Sequence, residues 1–274
     1  MTEILAAKKQ RVLHALACHE QIIVALSGGV DSAVLLGLAV EALGSQSVVA
    51  ATGVSPSLAA ADLADARRVA KQFGVRHLEV ATDEIRLPEY RANRGDRCYH
   101  CRSELFGVLA GLAQRLGRAV IAYGAVADDA PEERPGMRAA DERGVLAPLL
   151  DAGVRKEDVR ALARSLGLAL AEKPAAACLA SRLPVGESVT RSALRQVERA
   201  EAAVRSLGFE QVRVRHHGPL ARLELDEAGI ARILQGELRR DVARALRSVG
   251  YRFVTVDLDG YRPGGAGLAH EPEA

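Results

Sequence analysis

The six residues Ser27-Gly28-Gly29-Val30-Asp31-Ser32 constrain this chain more than any other segment. They follow Gln21–Leu26, a short and nearly all-apolar run of the kind that forms a strand buried on both faces. They precede Ala33–Leu43, which reads as helix. A strand, a Gly-Gly turn and a helix start together make an anion cradle. The glycines let backbone N–H groups turn toward a phosphate, and the helix N-terminus adds partial positive charge. Ser27 and Ser32 add hydroxyl donors, and Asp31 is placed to hold Mg²⁺ against the phosphates. The spacing is not Walker A, since no Gly-Lys-Ser/Thr follows, and it is not G-x-G-x-x-G. The plainer alternative is a Gly-Gly turn that caps a helix with Ser or Asp.

Around this loop, strand and helix patterns alternate. The sequence predicts strands at 47–54, 75–80 and 119–123 and helices at 3–18, 58–73, 101–116 and 156–166. That alternation implies an α/β fold with a doubly wound parallel sheet and a ligand at the carboxyl ends of the strands. Residues 124–150 read as irregular, with Asp128-Asp129, Pro131, Pro135-Gly136 and Pro148. The character changes near 171–186. Beyond it, a helix (190–207), strands (211–216, 221–225), a helix (238–249) and a strand (253–257) predict a smaller C-terminal α+β domain. The expected domains are therefore 1–172 and 187–262, with a Gly/Pro/Glu-rich tail, 263–274, expected to be disordered.

Composition narrows the function classes. Hydrophobic residues make up 49% and charged residues 26%, which is globular and excludes wholesale disorder. A net charge of +2 with 3% aromatics offers little to a polyanion or to stacked bases, so a nucleic-acid partner is not expected. No apolar stretch is long enough for a membrane helix, and the start lacks a basic, then apolar, leader pattern. Four cysteines in such a chain point to thiol, metal or cluster chemistry in a cytoplasmic protein rather than a disulfide framework.

With its strand–SGGVDS–helix arrangement the chain resembles the PP-loop ATP pyrophosphatase superfamily. That resemblance implies ATP and Mg²⁺ as cofactors, cleavage between the α- and β-phosphates, and activation of an oxygen as its adenylate.

The cysteines come next. Cys98-Tyr99-His100-Cys101 is a CxxC at a helix start, and Cys178 lies in Ala177-Cys178-Leu179-Ala180-Ser181-Arg182. Cys18 reads as buried packing. Three thiolates are one short of a closed zinc site, and His100 sits awkwardly to complete it. Three suit a [4Fe-4S] cluster with one open iron, where a sulfide could bind. The alternative is an ordinary CxxC at a helix start, with Cys178 unrelated.

These features combine with Pro135-Gly136-Met137-Arg138-Ala139-Ala140, Lys173-Pro174 and Arg213-Val214-Arg215-His216. Together, in order from Leu5 to Arg262, they resemble the LarE family of PP-loop sulfur transferases. The resemblance implies a small-molecule nucleotide substrate, a pyridinium-3,5-biscarboxylate mononucleotide whose carboxylates become thiocarboxylates of a nickel-pincer cofactor. It also implies a homo-oligomer. In the family's sacrificial type, the position matching Cys178 gives up its own sulfur and becomes dehydroalanine. Another type carries a CxxC in addition and looks like a cluster enzyme, and Cys98 and Cys101 favour that type here.

The remaining assignments rest on residue type. A reactive thiolate needs a positive neighbour, and Arg182 is either that neighbour or a solvent-facing side chain. Arg213 and Arg215 alternate along one strand and so share a face, as a phosphate clamp or as a solvated edge. Arg222 with Glu224 is a candidate ion pair. Asp128, Asp129, His216, His217 and Asp257 are candidate metal or ribose contacts that spacing does not decide. The rivals are a tRNA thiolase, an ammonia-using NAD- or GMP-synthetase-like enzyme that needs no cysteines, and a non-catalytic nucleotide sensor.

Overall fold

The computed structural model describes residues 2–129, 134–174 and 177–261. The expected disordered tail lies outside the described residues.

In chain order the elements are α1 (Glu3–Ala17), β1 (Ile22–Ala25), α2 (Val30–Leu43), β2 (Val48–Val54), α3 (Ala60–Gln72), β3 (Arg76–Ala81), α4 (Pro88–Ala92), α5 (Arg97–Arg115) and β4 (Val120–Tyr123). There follow α6 (Arg134–Asp141), α7 (Pro148–Asp151), α8 (Lys156–Ser165), α9 (Arg191–Ser206), β5 (Val212–His217), β6 (Leu220–Leu225), α10 (Glu227–Ile233), α11 (Leu238–Ser248) and β7 (Phe253–Val256). Two compact units result. One comprises Met1–Glu84 with Cys98–Ala176, the other Ile85–Arg97 with Ala177–Ala274.

The first unit is built on a four-stranded sheet in the order β3-β2-β1-β4, with every neighbouring pair parallel. Strand β1 explains why the sheet is covered on both faces. Ile22 and Val24 point into one cluster with residues of α1, α2, α3 and α8. Ile23 points the other way, into a cluster with Phe106 and Leu109 of α5 and Tyr123 of β4. Period-two alternation of purely apolar side chains leaves no polar face, which is what a doubly wound sheet requires. The chain runs outward from β1 to β3 and then returns to β4, so the order reverses between β1 and β4. The loop after β1 opens at that switch point, where open α/β sheets bind ligands.

The stretch 124–150, expected to be irregular, instead contains α6 and α7 and a parallel bridge between Ala122 and Leu146. Pro and Gly suggested loop, but both are compatible with helix here. Pro148 stands in the first turn of α7, where its missing N–H costs nothing. Gly136 lies in α6, where a Cβ would meet Arg102 Cδ at 2.7 Å.

The second unit holds a three-stranded sheet in the order β5-β6-β7, with β5–β6 antiparallel and β6–β7 parallel. Its core gathers Val204 of α9, Val212 and Val214 of β5, Leu223 and Leu225 of β6, and Leu246 of α11. Residues 85–97 join this unit through Asn93, which is 1% exposed. Asn93 Nδ2 donates to Pro184 O (2.7 Å) and Glu187 O (3.1 Å), while Asn93 Oδ1 accepts from Arg97 Nη1 (2.8 Å). The helix α10 escaped the sequence pattern. Asp226 caps it by accepting from Gly229 N at 2.8 Å.

Candidate functional site

The phosphate loop is fixed by its own hydroxyls. Ser32 Oγ accepts from Ser27 N (3.2 Å), donates to Gly29 O (3.1 Å) and lies 3.1 Å from Ser27 Oγ. Gly29 N donates to Ser27 Oγ at 3.3 Å. Gly29 is the N-cap of α2 and has no side chain with which to cap it, so the first turn is not covered by its cap residue. Asp31 lies in that turn. Gly28 has φ +80, and a Cβ there would collide with the carbonyl oxygen of Asp62. Gly124, just after β4, is also tightly placed, since its Cβ would sit 2.7 Å from Ser32 N. The loop is thus wedged between the start of α3 and the end of β4. Thr52, 1% exposed, holds the strand end that feeds it. Its Oγ1 donates to Leu26 O at 2.7 Å and lies 2.8 Å from His77 Nε2.

Lys173 also sits on the loop. Its Nζ donates to Gly28 O (2.9 Å), Asp62 Oδ1 (2.7 Å) and Asp65 Oδ2 (2.5 Å). Asp65 additionally pairs with Arg68. Sequence reading quoted Lys173 only as part of a family motif and missed both aspartates. No local pattern marks them, because they meet the lysine across more than a hundred residues of chain.

In the second unit, Cys178 is exposed and N-caps a 3-10 turn, Leu179–Arg182. Arg182 is neither a free cation beside the thiol nor a surface residue, because it is 3% exposed. Its Nη1 donates to Ala177 O (2.5 Å), Cys178 O (3.0 Å) and Ser181 Oγ (3.1 Å). Its Nε and Nη2 donate to Glu201 at 2.8 and 3.2 Å. Arg182 therefore holds the backbone that carries Cys178, with its charge spent on Glu201. Ser181 Oγ adds a 2.8 Å bond to Cys178 O.

Glu201 is 2% exposed and also accepts from Val214 N (3.2 Å) and Arg205 (2.9 Å). Burial alone would raise its pKa. The charge and hydrogen bonds of Arg182, then the charges of Arg205 and Arg213, hold it below the ordinary carboxylate range. Replacing Glu201 with Gln strands a buried guanidinium and should cost about 3–5 kcal/mol, lowering the melting temperature by about 10 °C. A calorimetric scan checks this.

Arg213 and Arg215 share a face as expected, but that face is buried: they are 7% and 6% exposed. Arg215 binds Glu224 through Nε (2.8 Å) and Nη2 (2.7 Å), and donates from Nη1 to Ser181 O at 2.8 Å. Glu224 thus pairs across strands with Arg215 as well as with Arg222 on its own strand (3.2 Å). Arg213 lies over the Tyr261 ring at 5.3 Å. Burial first, then the charge of Arg182, lowers its pKa.

The other candidates resolve into structural partners. Asp128 accepts from Arg155 Nε (2.9 Å) and Lys156 N (2.7 Å) at the start of α8, and Asp129 from Val126 N (3.0 Å). His216 Nδ1 lies 3.0 Å from Tyr251 Oη, and Asp257 pairs with Arg222 at 2.7 Å. His217, at the end of β5, is exposed, and its pKa is lowered, first by partial desolvation and then by the charge of Arg222. Cys18, expected in the core, is exposed at the last turn of α1, its thiol donating to His14 O at 3.3 Å. Leu5, Val12 and Leu16 are the buried residues of that helix, and position 18 falls past its end.

Cys98 and Cys101 are half-exposed and stand one turn apart at the start of α5. Between them Tyr99 is pinned to α6, its Oη donating to Glu142 at 2.7 Å with Arg138 4.4 Å over its ring. Among the described residues no group of three or more His, Cys, Asp or Glu side chains could hold a metal ion. No helix of the described residues is long and apolar enough to cross a membrane.

The chain is similar to several known proteins. The NAD synthase family profile matches residues 3–104, which include the loop. An uncharacterized protein of Synechocystis is 42% identical over 89% of this chain and 91% of its own. A tRNA-specific 2-thiouridylase of Acidiphilium cryptum is 33% identical, but over 56% of this chain and 55% of its own. The pyridinium-3,5-bisthiocarboxylic acid mononucleotide synthase of Lactiplantibacillus plantarum is 36% identical over 95% of this chain and 94% of its own. That likeness spans both units and the loop, and by it the chain belongs to the LarE family of ATP-dependent sulfur transferases.

Proposed function

We propose that this protein converts the carboxylates of a pyridinium-3,5-biscarboxylate mononucleotide to thiocarboxylates, with Cys178 carrying the sulfur. The observation that supports this most directly is an exposed thiol on a turn immobilised by a buried arginine, in a chain that also holds a phosphate loop. A carboxylate is a poor electrophile because hydroxide is a poor leaving group. Attack of its oxygen on the α-phosphate of ATP expels pyrophosphate and makes AMP the leaving group. The loop N–H groups and hydroxyls stabilise the departing charge, and Asp31 would hold a Mg²⁺ that would supply further positive charge there. The Cys178 thiolate then adds to the acyl carbon and AMP leaves, giving a thioester. Removal of the Cys178 Cα proton breaks the Cβ–S bond, and the sulfur departs as thiocarboxylate, leaving dehydroalanine with no change of oxidation state overall.

Arg213 and Arg215 are the proposed contacts to the substrate phosphate. Arg215 commits three of its five N–H groups to Glu224 and Ser181. Both guanidiniums are buried on β5, and the planar fork of a guanidinium matches the geometry of a phosphate. A cytoplasmic homo-oligomer is part of the same proposal.

A second reading of the sulfur source is favoured by the thiol pair. Arg97, the residue before Cys98, donates to Ala180 O at 2.9 Å, two residues beyond Cys178. Cys98, Cys101 and Cys178 would be the ligands of a [4Fe-4S] cluster, once brought together. The discriminating experiment is iron and acid-labile sulfide content of protein prepared without oxygen, followed by intact mass after one turnover. The expected result on the first reading is AMP, thiocarboxylate and a protein mass lowered to dehydroalanine. A stoichiometric cluster lost in Cys98→Ala, with unchanged protein mass, moves the sulfur source to the cluster. Absence of AMP overturns both.

A further inference from the structure

We propose that His77 is a positioning residue for the phosphate loop, acting through Thr52 to fix the peptide unit from which the loop starts. The role rests on the reading that this loop binds the phosphates of ATP.

Counting hydrogens assigns the direction of each bond. A threonine hydroxyl carries one hydrogen, and a backbone carbonyl can only accept. The 2.7 Å contact from Thr52 Oγ1 to Leu26 O therefore uses that hydrogen. Oγ1 is left with lone pairs alone, so in the 2.8 Å contact His77 Nε2 is the donor. Burial, the larger cause, lowers the His77 pKa, with the charge of Glu79 opposing it and that of Arg67 adding to it. The ring is then neutral at neutral pH and is the Nε2–H tautomer. The opposite tautomer would present a bare Nε2, which competes with Leu26 O for the hydroxyl hydrogen.

What the pair holds is the entry to the loop. Leu26 O and Ser27 N–H belong to one planar peptide unit, so fixing the carbonyl fixes where the N–H points. Ser27 N donates to Ser32 Oγ at 3.2 Å, and the same Oγ donates to Gly29 O at 3.1 Å. The bond that closes the loop on itself thus starts from a peptide held by Thr52 on its other side. Leu26 N donates to Ala51 O at 2.8 Å, so both backbone polar groups of Leu26 are tied to β2. Thr52 is 1% exposed and β-branched, which limits its χ1. Its hydroxyl hydrogen can still turn, and the His77 N–H on its lone pair keeps it toward Leu26. The relay follows the order of the sheet, from β3 through β2 to the end of β1, wholly within the first unit.

Preorganised donors act on charge that develops as pyrophosphate leaves, so a misaimed N–H costs more in the transition state than in bound ATP. The relay should therefore show in the rate of the step rather than in affinity. The test is pyrophosphate release by the full chain, supplied with Mg-ATP and the pyridinium biscarboxylate mononucleotide, with a thermal melt of each variant. His77→Leu should lower the maximal rate about 10- to 30-fold, while the ATP concentration giving half that rate moves less than about threefold. His77→Gln, whose amide can donate to the same oxygen, should return the rate to within about threefold of wild type. Thr52→Val should match His77→Leu.

The double variant separates positioning from packing. Removing both partners strands fewer buried groups than removing one, so Thr52→Val with His77→Leu should melt no lower than Thr52→Val. Its rate should stay as low as that of either single variant, because Leu26 O is still unheld. If His77→Leu does not fold, Thr52→Val and the double variant carry the same comparison. A rate that recovers together with the melt would reduce the pair to a packing contact and overturn the role. So would equal losses in His77→Leu and His77→Gln, or a loss confined to ATP affinity. A wild-type chain that releases no pyrophosphate overturns the loop reading itself, and the role of His77 with it.

Discussion

Gly28→Ala should leave a folded protein in which pyrophosphate release from ATP has fallen about 100- to 1000-fold, the range expected when a preorganised donor set is displaced. Two costs combine at this position. A residue with a Cβ at φ +80 loses about 1–2 kcal/mol relative to glycine. The added methyl also runs into the Asp62 carbonyl, and backbone at a helix start cannot step aside as a side chain could. The loop must therefore move away from α3, displacing the N–H groups proposed to hold the phosphates. The core β-strand beneath is unaffected, since Ile22, Ile23 and Val24 are fully buried on their own account. Melting temperature should drop by only several degrees. Asp31→Ala makes the complementary case. It removes the carboxylate proposed to hold Mg²⁺ without disturbing the backbone, so turnover should be lost with the melt nearly unchanged. Pyrophosphate release and a melting curve on both variants decide the matter. Turnover of Gly28→Ala within about threefold of wild type would mean that this loop is not the phosphate cradle.

How far the sequence carried this picture depends on the range of the interactions involved. The sheet was legible because β1 is apolar at every position, the pattern of a two-sided strand. Helix limits came within a few residues for the same reason, local periodicity. The helices α6 and α7 were missed because Pro and Gly read as loop, although a first-turn proline and a glycine pressed on Arg102 are both compatible with helix. Cys18 was misplaced because the apolar stripe of α1 was extended one residue past its end. The ion network was the least legible part. Glu201 looks like any helix-surface glutamate four residues before an arginine, and only the folded second unit shows it closing on Arg182 and the Val214 N–H. Arg182 was identified as relevant to Cys178, but its role is to hold the backbone rather than to supply a charge. The pairing of Lys173 with Asp62 and Asp65 spans 111 and 108 residues, a separation at which no pattern in the chain helps.

Cys178→Ala should separate the two halves of the reaction. Adenylation, followed as AMP formation or as exchange of labelled pyrophosphate into ATP, should persist, because none of the atoms in the loop or on Lys173 is altered. Thiocarboxylate should fall by at least about 1000-fold, the scale on which removal of a nucleophile acts. The exposed position of the thiol makes this a clean substitution. Cys178 is exposed, and its backbone is held by Arg182 and Ser181 through carbonyl contacts that alanine keeps. A melting temperature within about a degree of wild type is therefore expected, in contrast to Glu201→Gln, which loosens the same turn from beneath. Both sulfur sources require the residue, one as the donor itself and the other as a cluster ligand, so the prediction does not depend on choosing between them. What distinguishes them is Cys98→Ala: it leaves a single sacrificial turnover intact on the first account and abolishes transfer on the second. If thiocarboxylate still forms at the wild-type rate without Cys178, sulfur reaches the acyl carbon by another path, and both accounts fall together.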